Sequence, residues 1–251
     1  MRPLSGQDAP IGLSFEPGTL QVVGLDAPLR RGPLGQQALE HAARHPDGAA
    51  VFADLDVKAV KIGMVAQRAT IAAIAAALAR WSPEHVVLDP VMVATSGDKL
   101  LAPDAIATLR RELLRRARVV TPNLPEAAAL LDTEVAGNET EMQVQAERIL
   151  ALGAQAVLIK GGHGTGEVST DFLFDGSVVT RLSVPRIATR NTHGTGCTLS
   201  SAIAAGLAKG QNLADAVREA KAYVTAAITA ADRLAIGKGH GPVHHFHAVW
   251  R

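Results

Sequence analysis

The 251-residue sequence is poor in cysteine, in aromatic side chains and in excess charge, and each shortage removes a class of function. Cys197 is the single cysteine, so it cannot form an internal disulfide or build a cysteine-based zinc site without further ligands. Aromatic residues make up 3%, too few for a base-stacking platform. Because the net charge is only +1, no global field attracts nucleic acid or an anionic membrane. Any phosphate group must therefore be bound by local geometry.

Long hydrophobic runs are also missing. The longest, residues 71–79, is too short to span a bilayer, and the first residues lack the basic start and apolar stretch of a signal peptide. A lone cysteine fits a reducing compartment. These features predict a cytoplasmic protein with no membrane or nucleic-acid partner.

From about residue 49, short apolar runs alternate with amphipathic stretches, the pattern of a mostly parallel sheet covered on both faces by helices. Asp175-Gly176 is typical of a hairpin turn and predicts an antiparallel edge hairpin. Strands are predicted at residues 59–63, 85–89, 118–121, 156–160, 169–174 and 177–183. Helices are predicted at residues 69–80, 103–117, 124–131, 140–152, after Gly194, and at 212–234. The fold class is therefore α/β.

Residues 1–48 differ from the rest, being rich in glycine, proline and arginine with little periodicity. One strand at residues 20–25 and one helix at 36–44 are the elements predicted there.

Gly194-Thr195-Gly196-Cys197 opens a predicted helix, where glycines let backbone N–H groups converge on an anion. A tight turn with no ligand is an equally good interpretation of these glycines alone. Cys197 would lie in the first helical turn, where a helix N-terminus lowers a thiol pKa, facing a substrate hydroxyl. The alternative is a small buried thiol packed beneath the helix.

Other polar residues follow predicted strands, at the sheet edge where open α/β sheets bind ligands. Asn123 and Glu126 suit magnesium near a phosphate, although a helix-capping pair has the same spacing. Lys160 could neutralise phosphates or be an exposed strand-end lysine. Asp89 could bind magnesium-bound water or form a turn before Pro90. The histidines of residues 244–247 are interpreted as a structural tail rather than a metal tract.

Together these segments resemble the bacterial hydroxymethylpyrimidine kinase/phosphomethylpyrimidine kinase of thiamine biosynthesis, a ribokinase-like enzyme. The resemblance covers roughly four-fifths of the chain and rests on residues 60–64 (VKIGM), 87–92 (VLDPVM), 121–127 (TPNLPEA), 160–163 (KGGH), 191–200 (NTHGTGCTLS) and 237–247 (GKGHGPVHHFH). It implies a three-layer αβα sandwich, ATP and Mg²⁺ as cofactors, a pyrimidine acceptor and a homodimer.

The resemblance also implies roles for individual residues. Gly194, Thr195 and Gly196 would form the anion hole, with Cys197 where many relatives carry a catalytic aspartate. Met64, Val91 and Cys197 would contact the pyrimidine. Asp89 and Glu126 would serve Mg²⁺, mostly through water. The ATP and phosphate contacts would come from Asn123, Glu126, Lys160, Thr192, Lys221, Lys238 and Gly239.

Residues 1–48 depart from the family, so the kinase core is assigned to residues 49–251. The family's glycine-rich substrate loop and its Ala-Gln-Asn-Thr segment are absent, so the first strands and half of the acceptor pocket are expected to be missing or rebuilt. A frameshift or wrong start, a degenerate paralogue and a true variant are the three explanations. The function alternatives are a pyridoxal-type kinase and a nucleotide-binding pseudoenzyme without turnover.

Overall fold

The computed structural model describes residues 15–16, 19–22, 52, 56–92, 101–164 and 166–250. Within these ranges one eight-stranded sheet runs in sequence order. Strands β2 to β6 are parallel, whereas β1 at one edge and β7 and β8 at the other are antiparallel. The strands are β1 Phe15–Glu16, β2 Thr19–Val22, β3 Ala59–Ile62, β4 His85–Leu88, β5 Val119–Val120, β6 Val157–Ile159, β7 Val168–Phe174 and β8 Val179–Pro185.

Helices cover both faces of this sheet. They are α1 Arg68–Trp81, α2 Pro103–Glu112, α3 Leu124–Leu131, α4 Glu139–Ala151, α5 Thr195–Ala208 and α6 Leu213–Thr229. Short 3₁₀ turns occupy Leu114–Arg116, Gly161–His163 and Ala231–Arg233. No helix among the described residues is long and apolar enough to cross a membrane.

Successive residues of the central strands face opposite layers, because side chains alternate along a strand. In β3, Val60 and Ile62 join the buried cluster formed with α1 to α4. Ala59 joins a second buried cluster with Val87 and the apolar residues of α5 and α6. Two apolar layers on one sheet confirm the predicted αβα sandwich.

Most predicted elements are confirmed to within a residue or two at their ends, the usual uncertainty of such boundaries. The hairpin forms as predicted: the Asp175 side chain accepts hydrogen bonds from the Ser177 and Val178 N–H groups, and Gly176 has a φ of 90°. The helix predicted at residues 212–234 ends at Thr229, and the helix predicted at residues 103–117 is also shorter. The latter ends at Glu112, and a 3₁₀ turn then brings Ala117 into the extended conformation that leads to β5.

Before residue 49, β2 lies parallel to β3, with Gln21 opposite Lys61. The predicted strand at residues 20–25 overlaps β2, while its last three residues lie outside the described ranges. The helix predicted at residues 36–44 also lies outside them.

Candidate active site

The first turn of α5 lies at the edge of the sheet where the parallel strands end. Gly194 precedes the helix with a φ of 85°, a left-handed conformation that favours glycine. The Thr195 N–H and hydroxyl both donate to the Thr192 carbonyl, at 3.3 and 2.7 Å. Among the described residues, no acceptor pairs with the Gly196 or Cys197 N–H, as is usual in a first helical turn. These amides and the helix dipole leave the turn open to an anion.

Asp89 is buried directly after β4 and ties α5 to the sheet. Its Oδ1 accepts from Lys160 Nζ at 2.8 Å and from the Thr121 hydroxyl at 3.1 Å. Its Oδ2 accepts from the Ser200 hydroxyl of α5 at 3.2 Å. Burial opposes ionisation, but the charges of Lys160 and Lys61 and these hydrogen bonds hold the pKa of Asp89 below its usual value. Asp89 is therefore a buried anion rather than a simple turn former.

Lys160 is positioned by an isolated parallel bridge to Asn123, and its N–H donates to the Pro122 carbonyl at 2.8 Å. Its ammonium group lies 2.8 Å from Asp89 Oδ1 and 3.8 Å from Glu126 Oε2, with the side chain only 12% exposed. Burial disfavours the charge, yet Asp89 and Glu126 outweigh it and raise the pKa of Lys160 to about 12. A Cβ on Gly196 would lie 3.2 Å from Lys160 Nζ, so glycine lets the ammonium approach α5.

Glu126 and Asn123 form the capping box at the start of α3. The Asn123 N–H donates to Glu126 Oε2 at 2.8 Å, and the Glu126 N–H donates to Asn123 Oδ1 at 2.9 Å. The capping interpretation is confirmed, and it leaves the magnesium role open. Burial raises the pKa of Glu126 to about 7, with Lys160 opposing the rise and Asp89 adding to it. We call Asp89, Glu126 and Lys160, with the first turn of α5, the α5-head cluster.

Cys197 is exposed, so the interpretation as a buried packing thiol is wrong. It lines one end of an open groove of 590 Å³ between α5 and α6. The expectation of a lowered pKa is also wrong. Although the residue is exposed, the protein around its thiol desolvates it and raises the pKa of Cys197. The charges of Lys61 and Lys160 only partly offset this desolvation and the effect of Asp89 and Glu126.

The other predicted residues lie around the cluster or away from it. Val91 follows Asp89, and its N–H donates to the Asp89 carbonyl at 2.9 Å; Met64 follows β3, and both side chains are half-buried. Lys221 of α6 pairs with buried Asp171 instead, at 2.6 Å. Thr192, Lys238 and Gly239 are exposed.

Several residues that support the site were assigned no role from the sequence. Asp171 accepts from the Gly161 N–H at 2.9 Å as well as from Lys221, and we call Asp171 with Lys221 the hairpin pair. The Gly241 N–H donates to Asn191 Oδ1 at 3.0 Å, so the tail supports the segment before α5. Lys61 is 1% exposed, in a strand that otherwise reads as apolar. A charged residue inside such a strand is the signal that could have drawn attention to it.

Comparison with known proteins gives consistent matches. A family model described as Phosphomethylpyrimidine kinase matches residues 37–244. The hydroxymethylpyrimidine/phosphomethylpyrimidine kinase of Rhizobium meliloti (strain 1021) is 64% identical over 202 residues, 80% of this chain and 76% of the relative. The protein of the same name from Escherichia coli (strain K12) is 52% identical over 200 residues, 80% of this chain and 75% of the relative.

Solved structures agree. An ADP complex of Bacillus subtilis pyridoxal kinase has a TM-score of 0.75 and 34% identity, covering 86% of this chain and 77% of that one. The phosphomethylpyrimidine kinase of Clostridium difficile 630 has a TM-score of 0.64 and 36% identity, covering 78% of this chain and 75% of that one.

Proposed function

Because the chain belongs to the phosphomethylpyrimidine kinase family, as its motifs predicted, we propose that it phosphorylates 4-amino-5-hydroxymethyl-2-methylpyrimidine and the monophosphate of that alcohol. ATP donates the γ-phosphoryl group, and the second transfer gives the diphosphate for thiamine biosynthesis. The observation that carries the proposal is the 64% identity to a relative of this name, over the segments that build the α5-head cluster.

The residues of the cluster are suited to phosphoryl transfer, which depends mainly on positioning and on neutralising charge. The turn of Gly194, Thr195 and Gly196 is assigned to the transferred phosphoryl group, with the N–H groups of Gly196 and Cys197, which are unpaired among the described residues, as donors. Lys160 is assigned to the nucleotide phosphates. Asp89 keeps Lys160 charged and in place. Cys197, Met64 and Val91 are assigned to the acceptor.

A thiol in place of an aspartate fits the second transfer. The acceptor is then already a phosphate monoester, which needs little help from a base. Because the pKa of Cys197 is raised, the group facing the acceptor is a neutral thiol, which repels a dianionic phosphate less than a carboxylate would.

Magnesium is part of the proposal, and the residues present allow one set of ligands for it. Both Asp89 oxygens already accept hydrogen bonds, and no group of three or more metal-ligating side chains occurs in the described residues. Glu126 also accepts a hydrogen bond, from the Asn123 N–H, but its pKa of about 7 means that a bound cation would favour its ionised form. Mg²⁺ commonly keeps several waters and binds one or two carboxylates plus phosphates. Glu126 and, through water, Asp89 would hold it, and it would neutralise phosphate charge.

The outer parts of the site follow from the resemblance. Asn123, Thr192, Lys221, Lys238 and Gly239 are assigned to the nucleotide side. Lys221 would contact the nucleotide while it remains paired with Asp171. A homodimer in the cytoplasm also remains part of the proposal.

The pyridoxal-type alternative has less support. Its structural likeness is high, but the identity to the pyridoxal kinase structure is 34%, against 64% to the pyrimidine kinase relative. The pseudoenzyme alternative depends on the missing acceptor segments before residue 49.

A product assay separates these functions. Purified protein is incubated with ATP, Mg²⁺ and either the pyrimidine alcohol, its monophosphate or pyridoxal, and the products are identified by mass spectrometry. We expect mono- and diphosphate from the two pyrimidines and a slower reaction with pyridoxal. Preferential phosphorylation of pyridoxal would favour the first alternative, and ATP binding without product would favour the pseudoenzyme.

A further inference from the structure

Lys61 is a charged residue in the middle of the sheet, and its surroundings differ from those of the other buried lysines. It lies in β3 between Val87 of β4 and Gln21 of β2. Its neighbours Val60 and Ile62 face the layer of α1 to α4, so Lys61 faces the layer of α5 and α6. The residue is only 1% exposed.

The ammonium group of Lys61 reaches the ligand-binding edge of the sheet. A Cβ added to Gly63 would lie 2.8 Å from Lys61 Nζ and 3.8 Å from Cε, so the chain extends along the strand past its end at Ile62. Because α5 packs across β3 and β4, this position lies beneath the helix that carries Cys197.

Among the described residues Lys61 has no ion-pair partner, although its charge acts on Asp89. The described residues give its ammonium group neither a hydrogen bond nor an ion pair, whereas Lys160 and Lys221 each pair with a buried aspartate. An ammonium group in a buried strand that contacts no carboxylate directly is available to balance an anion that binds nearby.

The charges around Cys197 show what Lys61 contributes. Lys61 from β3 and Lys160 after β6 are the cations acting on the thiol, while Asp89 after β4 and Glu126 of α3 are the anions. His245 lies against the Thr198 hydroxyl at 3.0 Å and lines the same groove as Cys197. When Glu126 is ionised, the positive charges of the two lysines balance the negative charges of the two carboxylates. Without Lys61 the same site would carry net negative charge and repel phosphate groups.

We infer that Lys61 is a specificity-determining residue for the phosphorylated acceptor, because its ammonium group offsets the acceptor phosphate beside Cys197. This rests on the proposed function, in which the alcohol and its monophosphate both enter the site. The neutral alcohol does not need the charge, whereas the dianionic monophosphate does. Lys61 therefore favours the second transfer over the first.

Lys61→Met tests the inference, because methionine keeps much of the length and removes the charge. The specificity constant kcat/KM is measured with ATP for the alcohol and for the monophosphate. We expect the monophosphate value to fall about tenfold more than the alcohol value. Lys58→Met is the matched control: it removes one positive charge from an exposed residue just before β3 and should leave the ratio unchanged. Equal losses for both acceptors in Lys61→Met would overturn the inference.

Alkylation gives a readout that does not depend on activity, and the single cysteine makes it specific for Cys197. Anionic iodoacetate and neutral iodoacetamide are compared across a pH series. In Lys61→Met we expect the rate with iodoacetate to fall severalfold relative to iodoacetamide, and the alkylation pKa to rise, because a nearby positive charge is lost. An unchanged ratio of the two alkylation rates would contradict the inference. A wild type that phosphorylates neither acceptor would count against the proposed function, and the alkylation result would still test the role of Lys61.

Gly63→Ala serves if Lys61→Met does not fold. The added methyl meets only the flexible end of Lys61, so it displaces the ammonium group and keeps every charge. We expect smaller decreases in the monophosphate-to-alcohol ratio of kcat/KM and in the iodoacetate-to-iodoacetamide ratio of alkylation rates. Unchanged acceptor and reagent ratios in this variant would overturn the inference.

Discussion

The α5-head cluster and the hairpin pair each bury a lysine against an aspartate with similar geometry. The ammonium–carboxylate distances are 2.8 Å for Lys160 with Asp89 and 2.6 Å for Lys221 with Asp171, and both lysine side chains are 12% exposed. Their surroundings differ. In the hairpin pair, the Gly161 N–H and Lys221 occupy one Asp171 oxygen each. In the α5-head cluster, a second carboxylate, free helix amides and an exposed thiol remain available for a ligand.

This difference shows that a short buried ion pair is not by itself a sign of function. The informative feature is the hydrogen-bonding capacity and charge that the pair leaves unused. The predictions below alter one region and take the other as its reference.

Lys160→Met is expected to have the largest effect. Removing a charge that neutralises the transferring phosphates should lower kcat/KM about 1,000-fold. Leaving Asp89 as a buried anion without its ion-pair partner should also lower the free energy of unfolding by about 3–5 kcal/mol. Steady-state kinetics and urea denaturation measure the two effects. Activity within tenfold of wild type would remove Lys160 from the phosphate site.

Lys221→Met is the matched variant in the hairpin pair. Because it leaves Asp171 without its ion-pair partner, we expect a similar loss of stability of about 3–5 kcal/mol. Its effect on kcat/KM should be less than about tenfold and should appear in the KM for ATP. A loss of kcat as large as that of Lys160→Met would make the two regions functionally equivalent.

Gly196→Ala changes the α5-head cluster without removing a charge. The new methyl would lie 3.2 Å from Lys160 Nζ and 4.0 Å from Asp89 Oδ2, so it intrudes where an anion is expected to bind. We expect kcat/KM to fall about 100-fold. Stability should be unchanged or higher by about 0.5–1 kcal/mol, since alanine favours helix more than glycine does.

Gly194→Ala provides the contrast for that variant. No atom lies within 4 Å of its added Cβ, but its φ of 85° is strained for alanine. A stability loss of about 1–2 kcal/mol is therefore expected. If Gly196→Ala is the variant that loses stability and keeps its activity, the anion site is misplaced.

Glu126→Gln tests the charge balance through pH. The pKa of Glu126 is about 7 in the folded state against an ordinary value of 4.5, so the folded state holds this proton more tightly. Its contribution to stability is fully present below pH 4.5 and is lost as pH rises through 7. Relative to Glu126→Gln, wild type should lose about 3 kcal/mol of unfolding free energy between pH 4.5 and 8. The free energy of unfolding is measured by denaturation at each pH. If it changes with pH in parallel for the two proteins, the raised pKa of Glu126 is contradicted.

Cys197→Asp is expected to have the smallest effect. A carboxylate beside a dianionic acceptor should lower kcat/KM for the monophosphate about tenfold, with a smaller change for the alcohol. Cys197→Ser, which stays neutral, is the control. Undiminished phosphorylation of the monophosphate by Cys197→Asp would show that repulsion at this position is unimportant.

Local patterns predicted the fold and the backbone of the site well. The helix at residues 124–131 was predicted with both ends correct, because Asn123 caps it and a proline stands in its first turn. The Asp175-Gly176 turn similarly determined the hairpin. These signals act between residues that are close in the sequence.

Long-range pairings could not be predicted in the same manner. Asp171 and Lys221 meet across 50 residues, and nothing in either segment indicates the other. The burial of Lys61 depends on β2, β4 and α5 closing around it. The pKa of Cys197 was expected to fall because the helix end was visible in the sequence, whereas the desolvation that raises it arises only in the folded protein.

The boundary at residue 49 stays a prediction. The family match begins at residue 37, and β2 pairs with β3 from still earlier in the chain. The acceptor side of the site is therefore the part that was least predictable from the sequence, and the Lys61 variants test it directly.

The most direct test follows the diphosphate product by ³¹P NMR in wild type, Lys160→Met and Lys221→Met, each supplied with ATP, Mg²⁺ and the pyrimidine monophosphate. We predict that wild type and Lys221→Met form the diphosphate at rates within about tenfold of each other, and that Lys160→Met forms almost none. Equal rates for the two variants, or a wild type that binds ATP and forms no diphosphate, would contradict the assignment of phosphoryl transfer to the head of α5.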